Sequence, residues 1–433
     1  MQCIKHLQLA SAPAQEGHAR WCTNEMARRW AKYLMSIILV LVSLTSYLRG
    51  QTAPSSGRAA AQGLLTVSPP AATAPREPNL SFGFSQGVGR GDFVGIHVTI
   101  GTHEYLFEVD TGSPISLIDS AAAATDRGSF KLLGGAGGDR AISGKDIIAR
   151  RCEAPNLIAG GKRLRNTNGV IEECDLTPSR EATGRPIEGV LGMDVLGNYV
   201  VHLDFQGRKL ELIDPDVFRP PTGEGEIEVP LENVEHRAPG LAISVGGQSN
   251  VLVRLDTGNN GSFSFTESLL RKVVGSDPEV QGIWYVDLSG VVHSHATLIP
   301  QKWTWEGVIY QHVWAGLSVA QNWMGLAALC NYDVICDFSR QRAYLRPLRG
   351  VAPPESKPDD LGIVIRSGRF LVIGAGEQAI KCDLHVGDEI VTVAKKPVKG
   401  LEMWQTMDLA DPKGPLVFSV LREGVVHDVT LPR

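Results

Sequence analysis

Hydrophobic and polar residues alternate along the chain in short runs, a pattern typical of β-strands with one buried face. The run Gly95-Ile-His-Val-Thr-Ile-Gly101 precedes Tyr105-Leu-Phe-Glu-Val109. The run Leu241-Ala-Ile-Ser-Val-Gly-Gly247 precedes Val251-Leu-Val-Arg-Leu255 in the same way. Each pair of runs predicts two strands joined by a glycine turn, and the second strand of each pair leads into an Asp-Thr-Gly sequence.

These strand pairs open two copies of a longer repeat. Asp110 and Asp256 each lie nine residues after the glycine that closes the turn. Each copy later has two apolar residues before a glycine, at Gly192 or Gly325, and then a Tyr and an Asp-Phe pair at matching distances. Several offsets held in register at once indicate a duplicated β unit. The aspartates of the two Asp-Phe pairs are predicted to end strands at turns, and they are Asp204 and Asp337.

The rest of the chain divides around this duplication. The predicted segments are an upstream segment at 1–25, a signal peptide or N-terminal anchor at 26–50, a Pro/Ala/Ser-rich linker at 51–85, the two copies at 86–218 and 222–348, and a small β-rich domain at 358–433. The basic start and 15-residue apolar stretch of 26–50 are short for a membrane span and right for a signal peptide. We therefore expect an exported protein that is periplasmic, secreted or membrane-anchored. A translation start at Met26 and retention of the segment as a membrane tether both stay open.

The composition argues against a nucleic-acid partner and against a metal site. The net charge is −5 over 433 residues and no long basic run is present, so nucleic acid is not expected as a partner. The seven cysteines include no Cys-x-x-Cys pair and no zinc spacing, so no metal site is expected. Cys152 with Cys174, or Cys330 with Cys336, are the disulfide pairings that the sequence leaves open.

The paired motifs Phe107-Glu-Val-Asp-Thr-Gly-Ser-Pro114 and Val253-Arg-Leu-Asp-Thr-Gly-Asn259, with the two apolar-apolar-Gly segments, resemble the aspartic peptidases. The similarity is to the two-lobed pepsin-like or tandem retropepsin-like kind. It implies a mainly β fold with two homologous lobes, each a six-stranded type of β-barrel. It also implies that the lobes share one site, so a monomer suffices for catalysis, and that neither a metal nor an organic cofactor takes part.

The resemblance implies a catalytic dyad of Asp110 and Asp256. Two carboxyls within hydrogen-bonding distance share one proton, so one can take a proton from water while the other donates one to a peptide carbonyl. The supporting residues implied are Thr111, Gly112, Ser113, Thr257, Gly258 and Asn259. The alternative is that each aspartate merely ends a strand in a turn.

Two features near the dyad carry further expectations. Ser113 matches a family hydroxyl that bonds a catalytic carboxylate, whereas Asn259 departs from that pattern, so we expect Asn259 to shift the titration of the dyad. A glycine-rich segment lies where a retropepsin-like flap would cover the substrate, and an ordinary surface loop is the alternative. The glycines predicted for the flap are Gly134, Gly135, Gly137 and Gly138.

The C-terminal segment resembles a PDZ domain of the bacterial type, through its Leu361-Gly-Ile363 sequence and its Val386-Gly-Asp-Glu-Ile390 sequence. In that family the loop corresponding to Leu361, Gly362 and Ile363 offers backbone N–H groups to a peptide carboxylate, and the peptide adds as a strand. A C-terminal peptide is therefore a candidate ligand. The alternative is a β-rich packing domain that binds nothing.

Together these features predict an exported aspartic endopeptidase that acts on polypeptides and carries a PDZ domain for substrate or partner peptides. An inactive protease fold that serves as a peptide-binding scaffold is the alternative. Activity only when the protein is membrane-tethered or activated in trans also stays open.

Overall fold

The computed structural model describes residues 80–83, 93–137, 141, 143–233, 238–275, 277–353, 355, 357–409 and 414–432. The predicted N-terminal segments 1–25 and 26–50 lie outside these residues, as do almost all of the linker 51–85 and the flap residue Gly138. Within the described residues, no helix is long and apolar enough to cross a membrane.

The fold is mainly β, as the alternating pattern predicts. The first copy of the repeat and the strand before it hold β1 Leu80–Gly83, β2 Gly95–Ile100, β3 His103–Val109, β4 Leu117–Asp119, β5 Leu132–Gly137, β6 Ala149–Glu153, β7 Ile158–Ala159, β8 Lys162–Arg163, β9 Val170–Cys174, β10 Ile187–Leu191, β11 Val200–Asp204 and β12 Lys209–Ile213. The second copy holds β13 Ile227–Pro230, β14 Glu232–Asn233, β15 Pro239–Val245, β16 Gln248–Asp256, β17 Phe263–Thr266, β18 Val280–Asp287, β19 Gly290–Ile299, β20 Trp303–Trp305, β21 Val308–Tyr310, β22 Val313–Ser318, β23 Trp323–Gly325, β24 Tyr332–Asp337 and β25 Arg342–Pro347.

The C-terminal domain and the helices complete the fold. The strands of the C-terminal domain are β26 Leu361–Arg366, β27 Arg369–Ala375, β28 Glu389–Val393, β29 Lys396–Pro397, β30 Leu416–Arg422 and β31 Val425–Leu431. The described helices are α1 Ser120–Thr125, α2 Thr177–Thr183, α3 Met193–Leu196, α4 Glu267–Val274, α5 Leu326–Leu329, α6 Glu377–Lys381 and α7 Met403–Asp408.

Alternation of side chains determines how these strands are buried. In β2, Ile96, Val98 and Ile100 are almost completely buried, while His97 is exposed. The turn to β3 contains Gly101 with a φ of 60°, a left-handed conformation that glycine adopts without a Cβ penalty. Thus the local sequence dictates the first hairpin, and the corresponding glycines form the turn between β15 and β16 in the second copy.

The described strands form open sheets, and none of these sheets closes into a barrel. Most strands of the first copy form a nine-stranded sheet, and most strands of the second copy form an eight-stranded sheet. The closing hairpins of both copies leave these sheets, and β11 pairs antiparallel with β24 in a shared six-stranded sheet. The sequence predicted two six-stranded barrels, and this prediction is wrong because neither copy closes into a barrel. The closing hairpins of the two copies pair with each other instead.

The apolar core reflects the same arrangement. One continuous cluster of buried side chains runs through both copies of the repeat, and a separate cluster fills the C-terminal domain. The C-terminal sheet has the strand order β26-β27-β28-β30-β31, with β29 paired to β28. Its terminal strand β26 and the flanking helix α7 pack against α2 of the first copy, and β26 also packs against β18 of the second. Asp204 and Asp337 are the last residues of β11 and β24, which confirms their predicted place at strand ends.

Candidate active site

Asp110 and Asp256 come together at the boundary between the two copies of the repeat. Asp110 directly follows β3, and Asp256 is the last residue of β16. Beside β3 runs the parallel strand β10, and beside β16 the parallel strand β23. These neighbouring strands carry the apolar-apolar-Gly segments found in the sequence. Their glycines are required by close backbone approach, because a Cβ at Gly192 would lie 2.6 Å from the carbonyl carbon of Ile115.

The two carboxyl groups are joined by a hydrogen bond. A Cβ at Gly112 would lie 2.6 Å from the carboxyl carbon of Asp256, and one at Gly258 would lie 2.6 Å from that of Asp110. Each aspartate thus reaches over the glycine of the opposite Asp-Thr-Gly sequence. Any larger residue at these two glycines would separate the pair.

Burial raises the pKa of both paired carboxyls. Burial raises the pKa of Asp110, and it raises that of Asp256 further because the neighbouring Asp110 charge adds to the effect. Asp110 accepts backbone hydrogen bonds from Gly112 (2.7 Å) and Ser113 (3.1 Å), whereas Asp256 accepts one from Gly258 (3.1 Å). The additional donor favours the anion on Asp110 and the shared proton on Asp256.

Arg254 is a site residue that the sequence analysis did not identify. It lies two residues before Asp256 on the same strand, so both side chains emerge on the same face, and Arg254 lines the cleft with the dyad. Its guanidinium is buried over the Trp323 ring, 4.6 Å from the centroid, and it opposes burial by lowering the pKa of both aspartates. One signal in the sequence could have identified Arg254. It is the one basic residue in the otherwise apolar run Val251–Leu255, which directly precedes Asp256.

Thr111 and Thr257 brace the two Asp-Thr-Gly segments. The Thr111 hydroxyl donates to the carbonyl of Leu255 at 2.9 Å, and the Thr257 hydroxyl donates to that of Val109 at 2.6 Å. Each hydroxyl also accepts from the backbone N–H of the other threonine. All four bonds cross between the copies, so they hold the two aspartates in a fixed relationship.

The side chains that follow the two motifs make hydrogen bonds within their own loops. The Ser113 hydroxyl donates to the carbonyl of Ile115 at 2.7 Å, so Ser113 contacts Asp110 through its backbone N–H. The Asn259 side-chain oxygen accepts from the N–H of Gly261 at 2.9 Å. Asn259 thus makes a hydrogen bond within its own loop, and the titration shift expected from its amide stays a prediction.

Three of the four predicted flap glycines lie in the first strand of a hairpin formed by β5 and β6. Gly134, Gly135 and Gly137 belong to β5, and residues of the connection between the two strands, including Ser143 and Gly144, line the cleft.

A second hairpin, β18–β19, projects from the second copy of the repeat and reaches the first. Its tip residue Asp287 accepts from the N–H of Ser143 at 3.0 Å, and the hydroxyls of Ser143 and Ser289 lie 3.2 Å apart. The two hairpins meet beside the cleft, an arrangement that the sequence did not predict.

Leu361, Gly362 and Ile363 form the first part of strand β26 and not a loop. Gly362 is buried against Trp284 of the β18–β19 hairpin, while Leu361 and Ile363 are half-buried. All three line the same cleft as Asp110 and Asp256, which has a volume of about 1570 Å³. The C-terminal domain therefore forms part of the cleft wall.

The described residues also answer two questions that the sequence raised, about disulfides and about a metal site. The five cysteines of the described residues are free thiols, so neither disulfide pairing left open by the sequence is formed there. No group of three or more His, Cys, Asp and Glu side chains in this part of the chain is arranged to hold a metal ion.

A scan against protein-family models finds no match to this chain, and a search of curated proteins also finds none.

Proposed function

We propose that the protein is an aspartic endopeptidase. The observation that supports this function best is the hydrogen-bonded pair of Asp110 and Asp256, which two equivalent strands bring together in the lining of one cleft. Two carboxyls that share one proton supply a base and an acid at once. Because both come from one chain, catalysis needs no second copy.

The chemistry follows from the unequal surroundings of the pair. Asp110 takes a proton from a water molecule whose oxygen attacks the peptide carbonyl carbon, and Asp256 donates its proton to the carbonyl oxygen. The tetrahedral intermediate, a gem-diol, collapses when the C–N bond breaks: the leaving amine takes the proton held by Asp110, and one hydroxyl of the gem-diol gives its proton to Asp256 as the carboxylic acid forms. The products are a carboxylic acid and an amine, and the dyad returns to its singly protonated state.

The N-terminal sequence supports an exported enzyme, and the resemblance of residues 358–433 to a PDZ domain supports a role in binding peptide segments. Both assignments belong to the proposal.

A second candidate function is an inactive peptide-binding scaffold. It is favoured by Pro353 and Glu355, which belong to the chain's own segment between β25 and β26 and line the same cleft. Glu355 is held there by the N–H of Trp314, which donates at 2.7 Å, and by the hydroxyl of Ser262.

The test is cleavage of an unfolded protein by the full chain from about pH 3 to about pH 7, with and without a statine-type transition-state analogue. The proposal predicts cleavage that the analogue blocks at one molecule per chain, with a specific activity independent of protein concentration. A folded protein that binds unfolded chains and never cleaves them would support the scaffold instead.

A further inference from the structure

Ser116 and Ser262 occupy equivalent places in the two copies of the repeat, each six residues after the motif aspartate of its copy. In the first copy the Ser116 hydroxyl donates to the carboxylate of Asp194 at 2.7 Å. The same hydroxyl accepts from the N–H of Gly192 at 3.0 Å. Within the first copy, a carboxylate and a serine thus tie the loop after the motif to the apolar-apolar-Gly segment.

The second copy has no carboxylate at the place that corresponds to Asp194. Asp194 lies two residues after the glycine of its apolar-apolar-Gly segment, and the residue two after Gly325 is Ala327. The Ser262 hydroxyl donates instead to Glu355, which lies outside both copies in the segment between β25 and β26. A residue that is not part of the duplication therefore supplies the carboxylate.

Glu355 also joins two neighbouring strands of the second copy. β17 and β22 run parallel, with Ser264 opposite Gly316. Ser262 and Trp314 each lie two residues before that pair. One oxygen of the Glu355 carboxylate accepts from the Ser262 hydroxyl, and the other accepts from the N–H of Trp314 at 2.7 Å. The carboxylate therefore bridges the two strands where they approach the dyad.

The first copy makes the corresponding strand contact directly. The N–H of Glu172 on β9 donates to the carbonyl of Ser116 at 2.9 Å, next to the parallel pairing of β4 with β9. Glu355 thus does in the second copy what two separate contacts do in the first, because it binds the serine hydroxyl and also joins the neighbouring strand.

The Glu355 carboxyl is enclosed, and the chain on either side of it is fixed to the second copy. Burial raises the pKa of this carboxyl, although the residue as a whole is half-buried. On one side, the N–H of Ala352 donates to the carbonyl of Ile309 at 2.8 Å. On the other side, the Lys357 ammonium donates to the carboxylate of Glu279 at 3.0 Å. The carboxyl group is thus held at a defined place.

The loop that Glu355 holds begins at Asp256. The N–H of Gly258 donates to the Asp256 carboxylate at 3.1 Å, and the N–H of Asn259 donates to the Asp256 carbonyl at 3.2 Å. Residues 259–262 of the same loop line the cleft. A loop fixed at its far end keeps both donors in place, and a displacement of about 1 Å in an active site can lower the reaction rate by about a hundredfold.

We propose that Glu355 is a positioning residue of the dyad: it completes the half of the active site that the second copy forms, by holding the loop that follows Asp256. The inference rests on the proposed function. It gives the segment between β25 and β26 a role in catalysis in addition to its role in joining the C-terminal domain to the second copy.

The first experiment measures kcat and KM for peptide cleavage by the full chain. Glu355→Ala is expected to lower kcat by about tenfold or more and to leave KM within about twofold. Glu355→Gln keeps an oxygen for the N–H of Trp314 and an amide for the Ser262 hydroxyl, so it should keep most of kcat. Glu377→Ala removes an exposed carboxylate of the C-terminal domain and is the control. A kcat in Glu355→Ala equal to that of the wild type, or above it, would overturn the inference.

A double variant separates positioning from a general loss of stability. Ala327 lies beside the loop, because its N–H donates to the carbonyl of Gly261 at 3.3 Å. Ala327→Asp places a carboxylate where the first copy has Asp194. Combined with Glu355→Ala, it is expected to raise kcat about threefold or more above that of Glu355→Ala alone. A folded double variant with no such rise would contradict the proposal.

Hydrogen exchange tests the inference without any cleavage. In Glu355→Ala, and in Ser262→Ala as a smaller change, amides of residues 257–262 should exchange about tenfold faster or more, whereas Glu377→Ala should keep the wild-type rates. Unchanged exchange of these amides in a folded variant would overturn the inference. Faster exchange there, with no cleavage by the unaltered chain, would support the role of Glu355 in holding the loop and would count against the proposed peptidase function.

Discussion

Thr111 and Thr257 exchange backbone-to-hydroxyl hydrogen bonds across the boundary between the two copies of the repeat. The two threonines are 146 residues apart in the chain, yet each hydroxyl is donor and acceptor to groups of the other copy. This relationship makes the geometry of the dyad depend on both copies being docked. It also gives the first prediction.

Thr257→Val is expected to reduce the free energy of unfolding by about 2–4 kcal/mol, because the N–H of Thr111 and the carbonyl of Val109 lose their buried partner. Thr257→Ser keeps the hydroxyl and is the matched control, with an expected loss of about 1 kcal/mol for one buried methyl. Urea unfolding of both variants measures the difference. Equal losses in the two variants would mean that packing, and not the hydroxyl, accounts for the brace.

Arg254→Met is expected to move the pH–activity profile upward by about one pH unit. The guanidinium lowers the pKa of both dyad carboxyls, so its removal raises both values and shifts the acidic and basic limbs of the profile in the same direction. Arg254→Lys retains a positive charge over Trp323 and is expected to shift the profile less. A profile that moves downward in Arg254→Met would contradict this role.

We expect His202 to make the free energy of unfolding depend on pH. It lies on β11, which pairs with β24 of the second copy. Burial alone would lower its pKa, but contacts of 2.8 Å to Asp333 and to Glu211 raise it overall. A folded-state pKa above the unfolded value stabilises the fold fully below about pH 6.5, and this contribution is lost as pH rises through the folded value. The free energy of unfolding should therefore fall as pH rises above about 6.5, and the free energy of unfolding of His202→Gln should fall less over the same rise in pH. An identical pH dependence in the variant would rule out His202 as the cause.

Gly374→Ala is expected to loosen the contact between the C-terminal domain and the β18–β19 hairpin, because the added methyl overlaps the Trp284 indole. Overpacking of this kind costs about 1–3 kcal/mol. Hydrogen exchange should increase in residues 280–299 and around β26. Gly350→Ala is the control, since a Cβ at that position meets open space. Unchanged exchange in Gly374→Ala would show that the hairpin is held independently of this domain.

Much of the site is encoded locally and could be predicted. The alternating strands that precede Asp110 and Asp256, and the glycines that those aspartates approach, all lie within short sequence motifs. Gly325 is likewise explained by spacing in the repeat, and the structure requires it because a Cβ there would collide with the Asn259 loop.

The parts that could not be predicted depend on long-range contacts or on weak local patterns. Nearly all residues of β18 are half-buried, so its sequence shows no clear apolar face to mark a hairpin. Open sheets replaced the expected barrels because β11 pairs with β24, more than a hundred residues away. The direction of the Ser113 hydroxyl follows from the path of its loop, which residue type alone does not specify.

The central claim is that Asp110 and Asp256 act as one catalytic pair. The most direct measurement compares cleavage of an unfolded protein by Asp110→Asn and Asp256→Asn with that by Asp204→Asn, a repeat aspartate outside the cleft, with folding of each variant checked by thermal unfolding. We predict that either dyad substitution lowers kcat by about a thousandfold or more, while Asp204→Asn retains cleavage that a statine-type analogue blocks. Substantial cleavage by a folded Asp110→Asn or Asp256→Asn variant would contradict the account.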